Sequence, residues 1–360
     1  LRQVLRFLLS KLCLLLFFVP KILSARFRRS VRPTPTVLDV IEGSRSFPSG
    51  RHAIFLIWQP RGVPWYVQNA LDALATAQVN VLLVVNHQLS DARRAELQAQ
   101  CARIMIRDNT GFDIGGFQDG TNLLRQTQGV ERVMYLNDSV YFFRKGLSEL
   151  FERLMSSRAD VCSAFENWEI HYHFQSFCLS ISAAALHHPD VVAFWRNYLP
   201  VNSRLWAINN GEVGFSRALL SAVSSIEVIY APTRLQHILA SLPKGDLARL
   251  IRYLPGWLRL PTGETTRLQP QALATEIADR VSSRSQIHNG GFLFRRFMKC
   301  PLMKRDLVYR EQYSIYDIES MLGELGDEGH TASILTEMRR KGVGSQLKGW
   351  KRLQYNEGML

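Results

Sequence analysis

The feature that most constrains this chain is a series of apolar runs of strand length, each followed by a stretch with helical spacing. Ala53–Trp58 (AIFLIW) and Val79–Asn86 (VNVLLVVN) are apolar almost throughout. A strand with one wet face alternates, whereas a strand apolar at nearly every position is covered on both faces. Between these runs, Pro64–Ala77 carries Val67, Leu71, Leu74 and Ala75 on one side of a helix. The alternation continues with a helix over Ala92–Ala102 and strands over Arg103–Ile106 and Glu131–Leu136. It then gives a helix over Leu147–Met155, strands over Asp160–Phe165 and Phe174–Ser182, and a helix over Pro189–Tyr198. This order predicts an α/β fold with a mostly parallel central sheet, helices on both faces, and one domain over residues 51–312. Residues 240–285 are basic, proline-bearing and irregular, and read as an insertion or lid. Residues 313–360 read as a C-terminal helical extension, with Ile315, Ile318 and Met321 on one face. The composition, 46% apolar and 21% charged, suits a large core and excludes wholesale disorder.

The net charge is +13, but its distribution matters more than its size. Residues 1–29 hold Arg2, Arg6, Lys11, Lys21, Arg26, Arg28 and Arg29 and no acidic residue, so the rest of the chain sets 37 basic against 31 acidic residues. That segment also contains LCLLLFFV at Leu12–Val19. Apolar residues among cations suit an anionic membrane surface, and the body has no zinc-finger spacing or basic stripe for nucleic acid. Residues 1–29 therefore read as a membrane-associating segment, lying on the surface or spanning it, with a signal helix and an ordinary core helix as the alternatives. Residues 30–50, with Pro33 and Pro35, read as its linker. The five cysteines have no C-x-x-C spacing, which argues against a disulfide framework or structural zinc and fits a reducing compartment. The expected location is the cytoplasmic face of the inner or plasma membrane, peripheral or anchored through the N-terminal segment.

In an open α/β sheet, ligands bind beyond the carboxyl ends of the strands. Two polar clusters stand there, Arg107-Asp108-Asn109-Thr110-Gly111-Phe112-Asp113 and Asn137-Asp138-Ser139. Neither G-x-G-x-x-G nor a Walker A sequence is present, so dinucleotide and P-loop chemistry lack their phosphate loops. Asp113 and Asp138 can face one crevice, where a carboxylate binds a ribose hydroxyl or holds a divalent cation against a diphosphate. Glu166, Glu169 and Glu212 are candidates for a general base, and His173, Gln175 and Ser176 begin a strand nearby.

The same residues carry a family resemblance. RDNTGFDIGGFQDGTNLL followed by VMYLNDSVYFF resembles the rhamnan synthesis protein F family of glycosyltransferases. HFQSFCLSI at His173–Ile181, Phe194-Trp195, Glu212 and FRRFMKCPLMKRDLV at Phe294–Val308 are similar to later family motifs, in the same order. The resemblance spans roughly residues 50–310. It implies a GT-A-like fold that transfers a sugar from a nucleoside-diphosphate donor during assembly of rhamnose-containing or related surface polysaccharide, lipopolysaccharide included. The donor-binding residues would be Arg107, Asn109, Gly111, Asp113, Asn137, Asp138, Ser139, His173, Gln175, Ser176, Lys304 and Arg305. Asp138 stands where such folds place a metal–diphosphate motif, with one carboxylate where two are usual. Mg²⁺ or Mn²⁺ held by Asp138 is one expectation. Neutralisation of the diphosphate by Lys304 and Arg305 is the other. Two further readings are a non-catalytic module that binds a glycan or a partner, and a nucleotidyl- or phosphotransferase.

Overall fold

The apolar runs form a sheet because they have no polar face to give to water. The computed structural model describes residues 2–31, 35–169 and 171–360; Pro33 of the expected linker lies outside the described residues. Its main sheet joins β1 (Val37–Glu42), β2 (Arg51–Ile57), β3 (Asn80–Val85), β4 (Arg103–Arg107), β5 (Arg132–Asn137), β7 (Val161–Ser163), β10 (Cys178–Ser182) and β11 (Ile226–Val228). The order is β1-β4-β3-β2-β5-β10-β7-β11. The central four, β4, β3, β2 and β5, pair in parallel, while β1 and β10 run against their neighbours. Sequence order reverses at β2, and a crevice opens where it does. The registers Ile57↔Val85, Val85↔Ile106 and Leu56↔Asn137 bring the carboxyl ends of these four strands level.

Alternate residues of β2 feed two cores. Ala53, Phe55 and Ile57 pack with Leu71 and Leu74 of helix Trp65–Thr76. Ile54 and Leu56 pack with Ile114 and Phe117 of helix Phe112–Leu124, and with Trp195 and Phe215 behind it. The second contact is close for a reason written in the sequence. A Cβ at Gly116 would stand 2.1 Å from Leu56 Cδ1, and one at Gly120 would stand 2.8 Å from Ile54. Glycine at these positions lets the helix backbone approach the sheet. That approach sets Asp113, in the first turn of the same helix, beside the end of β5.

Several local expectations change. Part of the expected linker is β1, which covers the edge of β4. The run Phe174–Ser182 is interrupted: His173–Phe174 (β9) pairs with Glu166–Asn167 (β8), and β10 starts only at Cys178. Residues 240–285 contain helices Lys244–Leu250, Thr262–Arg267 and Pro270–Ser282 rather than irregular chain. Leu247, Leu250, Leu273 and Ile277 anchor them in the first core. The prolines at 243, 261 and 270 sit at helix starts, where a missing N–H costs nothing. The C-terminal helices Ile315–Leu325 and Thr331–Lys341 dock through Ile318, Met321, Ile334 and Met338.

Residues 2–30 are helical, with a π turn at Leu14–Phe18 just before Pro20, whose ring cannot donate to the preceding turn. Phe7–Ser30 is long and apolar enough, by length and composition, to cross a membrane. One side touches the body: Phe17 lies 5.4 Å from Trp350, Arg28 donates to Thr110 Oγ1 (3.3 Å), and Arg29 donates to the carbonyls of Arg196 and Asn197. Phe7, Leu8, Leu12, Leu15, Leu16, Leu23 and Phe27 on this helix are exposed.

Candidate active site

Each strand of the central four ends in a polar residue or is followed by one within two positions, and these residues line the crevice. Past β2, the Trp58 N–H and the Gln59 amide both donate to Asp138 Oδ2, at 2.9 and 2.6 Å. Past β3, Asn86 donates to Asn109 Oδ1 at 2.9 Å and accepts from Arg107 at 3.0 Å. At the end of β5, Asn137 donates to Asp113 Oδ2 at 2.9 Å and accepts the Ser139 N–H at 3.0 Å. Gly111 stands at φ +73°, a left-handed conformation suited to glycine, and its N–H donates to Asn202 Oδ1 at 2.6 Å.

A second layer comes from β12 (Leu302–Lys304), which pairs antiparallel with β6 (Val140–Phe142) directly after Ser139. That pairing carries Lys304 and Arg305 to the strand end. Lys304 Nζ donates to Ser139 Oγ at 3.0 Å and lies 4.0 Å from the Phe177 ring. The Arg305 guanidinium donates to the Asp138 carbonyl, lies 4.0 Å from its carboxylate, and is held by Glu337 at 2.6 Å. Glu212 enters from the π turn Ala207–Glu212 and accepts the Ser176 hydroxyl.

Charge is unevenly balanced here. Burial, followed by the nearby charges of Asp138 and Glu212, pushes the Asp113 carboxyl up to about 7, even though part of its surface still meets solvent. Burial pulls the Lys304 ammonium below its ordinary range, against the attraction of Asp306, Glu212 and Asp113. Asp306 is different. Its burial is outweighed by His288, at 2.9 Å, and by Lys304 and Lys341, so its carboxyl is held well below the usual range.

The donors and bases expected from sequence therefore divide. Asp113, Asn137, Asp138, Ser139, Ser176, Glu212, Lys304 and Arg305 converge. Asn109 and Gly111 border them. Arg107 is buried but committed: it bonds Asp119 at 2.9 Å, Asn86 and the Thr110 carbonyl, so it props the loop from behind rather than facing a ligand. His173 is buried against the His171 carbonyl, and Gln175 accepts from Ser285 at 3.4 Å. Glu166 accepts from Gln286 at 3.4 Å, and Glu169 is exposed. Of the three glutamates, Glu212 is the one carried into the cluster. Gln59, Asn86, Arg204, His288 and Asp306 were not flagged from sequence. Gln59 and Asn86 end apolar runs and so had a readable signal; Arg204, His288 and Asp306 arrive through tertiary packing.

The residues do not by themselves make a cation site. Asn137 Oδ1 is taken by Ser139, Ser139 Oγ by a lysine ammonium, and Asp138 Oδ2 by two donors. Asp138 Oδ1, Asp113 Oδ1 and Glu212 Oε2 accept no hydrogen bond among the described residues, but no three His, Cys, Asp or Glu side chains there converge on a metal position. Two surface cavities lie off the cluster. One, of about 340 Å³, is lined by Phe194, Tyr198 and Trp206; the other, of about 550 Å³, by Asn69, Arg144 and Glu328.

Residues 81–243, a little under half of the chain, match the model of the family described as rhamnan synthesis protein F, which bears out the resemblance read from the motifs. An uncharacterized protein, y4gN, of Sinorhizobium fredii is 28% identical over 199 residues, 54% of this chain and 52% of that protein. The match thus spans about half of that relative's length. Among solved structures, the glycosyltransferase GlyE of Streptococcus pneumoniae aligns over 63% of each chain, with a TM-score of 0.31 and 11% identity. A mannosyltransferase of Pyrobaculum calidifontis, PcManGT, in complex with GDP-Man and Mn²⁺, aligns over 94% of this chain and 99% of that one, with a TM-score of 0.28 and 10% identity.

Proposed function

We propose that this chain is a glycosyltransferase that takes a sugar from a nucleoside-diphosphate donor and passes it to a hydroxyl of a cell-surface glycan or its lipid-linked precursor. The observation that carries this reading is the pair Lys304 and Arg305 at the Asp138–Ser139 strand end, in the switch-point crevice. The family match over residues 81–243 supports it. A departing diphosphate needs positive charge placed before it leaves, and an ammonium and a guanidinium fixed by Ser139 and Glu337 supply that without reorganisation.

The acceptor hydroxyl oxygen bonds to the anomeric carbon, the bond from that carbon to the diphosphate oxygen breaks, and the hydroxyl proton passes to a carboxylate. Glu212, held by Ser176, serves as that base. Asp138 Oδ1 contacts the donor. Among the described residues no three carboxylate, histidine or cysteine side chains converge on a cation, and no step is assigned to one. A deoxyhexose such as rhamnose is the donor sugar in this reading. In this reading the enzyme works at the cytoplasmic face of a membrane, and the exposed leucines and phenylalanines of the helix over residues 2–30, among its cations, support contact with lipid and headgroups.

A panel of nucleotide-sugars, assayed for release of nucleoside diphosphate with and without divalent cations, tests the reaction class. We expect at least one donor to release the diphosphate, and Asp138→Ala to slow it about a hundredfold. Release of pyrophosphate would indicate nucleotidyl transfer instead. Unchanged turnover in Asp138→Ala would remove Asp138 from the mechanism.

A further inference from the structure

Two segments at opposite ends of the sequence make one surface. On the helix over residues 2–30, Leu8, Leu12, Leu15, Val19, Leu23 and Phe27 are exposed and recur every three or four residues, so they form a stripe along one side. Cys13 and Ala25 of the same helix are buried on its other side. The C-terminal helix Gly349–Asn356 packs beside the first half of this helix, with the Trp350 ring 5.4 Å from that of Phe17. That contact leaves Trp350 45% exposed, and Lys348 and Lys351 on either side of it are exposed as well.

Charge supplies an independent observation. Residues 338–356 contain Arg339, Arg340, Lys341, Lys348, Lys351 and Arg352 and no acidic residue. Residues 1–29 hold seven cations and no acidic residue either. Two acid-free segments therefore lie side by side in a chain that otherwise mixes both signs. An apolar protein partner would cover the stripe but gives no reason to exclude carboxylates from both segments. An anionic bilayer accounts for both features. Its acyl region takes the leucines, its headgroups take the cations, and an indole such as Trp350 sits best at the boundary between them. Arg28 of the same helix donates to Thr110, beside Gly111 of the crevice, which joins the lipid-facing helix to the candidate site.

We propose that the C-terminal helix Gly349–Asn356 is the second half of a membrane-docking face, acting with the N-terminal helix to seat the protein on an anionic lipid surface through Lys348, Trp350 and Lys351. This rests on the membrane part of the proposed function and is independent of the reaction. Co-flotation of the full chain with vesicles of phosphatidylcholine, alone or with about a third phosphatidylglycerol, tests it. The anionic vesicles should be bound at least tenfold more tightly, and the difference should shrink as salt is raised. The double substitution Lys348→Glu and Lys351→Glu should weaken binding to anionic vesicles at least tenfold with Tm unchanged, because both side chains are exposed. Trp350→Ala should weaken it severalfold, and Trp257→Ala, at an exposed tryptophan elsewhere, should leave it unchanged. Equal binding to both kinds of vesicle would overturn the proposal. Anionic-vesicle binding untouched by both C-terminal variants sinks the joint face alone and leaves the N-terminal helix as the anchor. No flotation of the wild type with either vesicle sinks the joint face and the membrane reading together. A lipid-free dimer that Trp350→Ala breaks would give this surface to a second copy and overturn the proposal.

Discussion

Arg107 and Lys304 are both cations held inside the protein near the ends of the same sheet, and they do opposite things. Arg107 spends its guanidinium on Asp119, Asn86 and the Thr110 carbonyl, and 1% of its side chain is exposed. Its network is closed. Among the described residues Lys304 makes one hydrogen bond, to Ser139, beside the carboxylates of Asp306, Glu212 and Asp113. Its site is open. A buried ion pair with a partner at every guanidinium nitrogen positions the chain around it. A desolvated cation with donors to spare is poised for a charged ligand. From sequence, both stood among the expected donor-binding residues; their partners separate scaffold from chemistry.

The comparison can be broken in graded ways. Arg107→Met should destabilise the fold most, by about 3 kcal/mol, because it strands Asp119 and the amide of Asn86. Denaturant unfolding would show this, and a loss below about 1 kcal/mol would mean the network is not closed. Gly116→Ala comes next. Helix Phe112–Leu124 carries Asp113 toward the open site and Asp119 toward the closed one, and a Cβ at 116 collides with Leu56. A cost of about 1–3 kcal/mol is expected, with nucleotide affinity and stability falling together. If stability alone fell, the helix would not be what ties the two sites together.

The smallest effect is pH-shaped. The folded Asp113 carboxyl lies near 7, above its unfolded value of about 4. Its protonation therefore favours the folded state fully below pH 4, and that contribution is lost as pH rises through 7. Asp113→Asn removes the dependence while keeping an oxygen for Asn137. The variant should gain stability relative to the wild type between pH 5 and pH 8. A constant gap across that range would show that burial beside Asp138 and Glu212 does not raise the Asp113 carboxyl.

Much of this fold was legible because period and length are local. Continuous apolar runs of six to eight residues allowed few alternatives to a covered parallel sheet. What escaped was decided at a distance. β1 is a half-exposed edge strand, LDVIE, whose pattern is weak without the partner strand β4 that it covers. The chain at Gln175–Phe177 lies inside the run read as one strand, but the Gln175 N–H is drawn to the Phe165 carbonyl and the strand breaks. At the site, Asp113, Asp138, Lys304 and Arg305 were readable from their places at strand ends or in ordered motifs. Whether a given one faced a ligand was not, since Arg107 and Lys304 differ in their partners and not in their local sequence. His288 and Asp306 lie 18 residues apart and meet through the packing of helix Gln286–Met298 against β12, which no local pattern announces.

The most direct test is Lys304→Met, assayed for release of nucleoside diphosphate and for thermal unfolding on the same preparation. If Lys304 stabilises the departing diphosphate, turnover falls about a hundred- to a thousandfold while Tm stays level or rises, because a desolvated ammonium has been removed. Turnover within a fewfold of the wild type, or a loss of activity that merely tracks unfolding, would contradict the account.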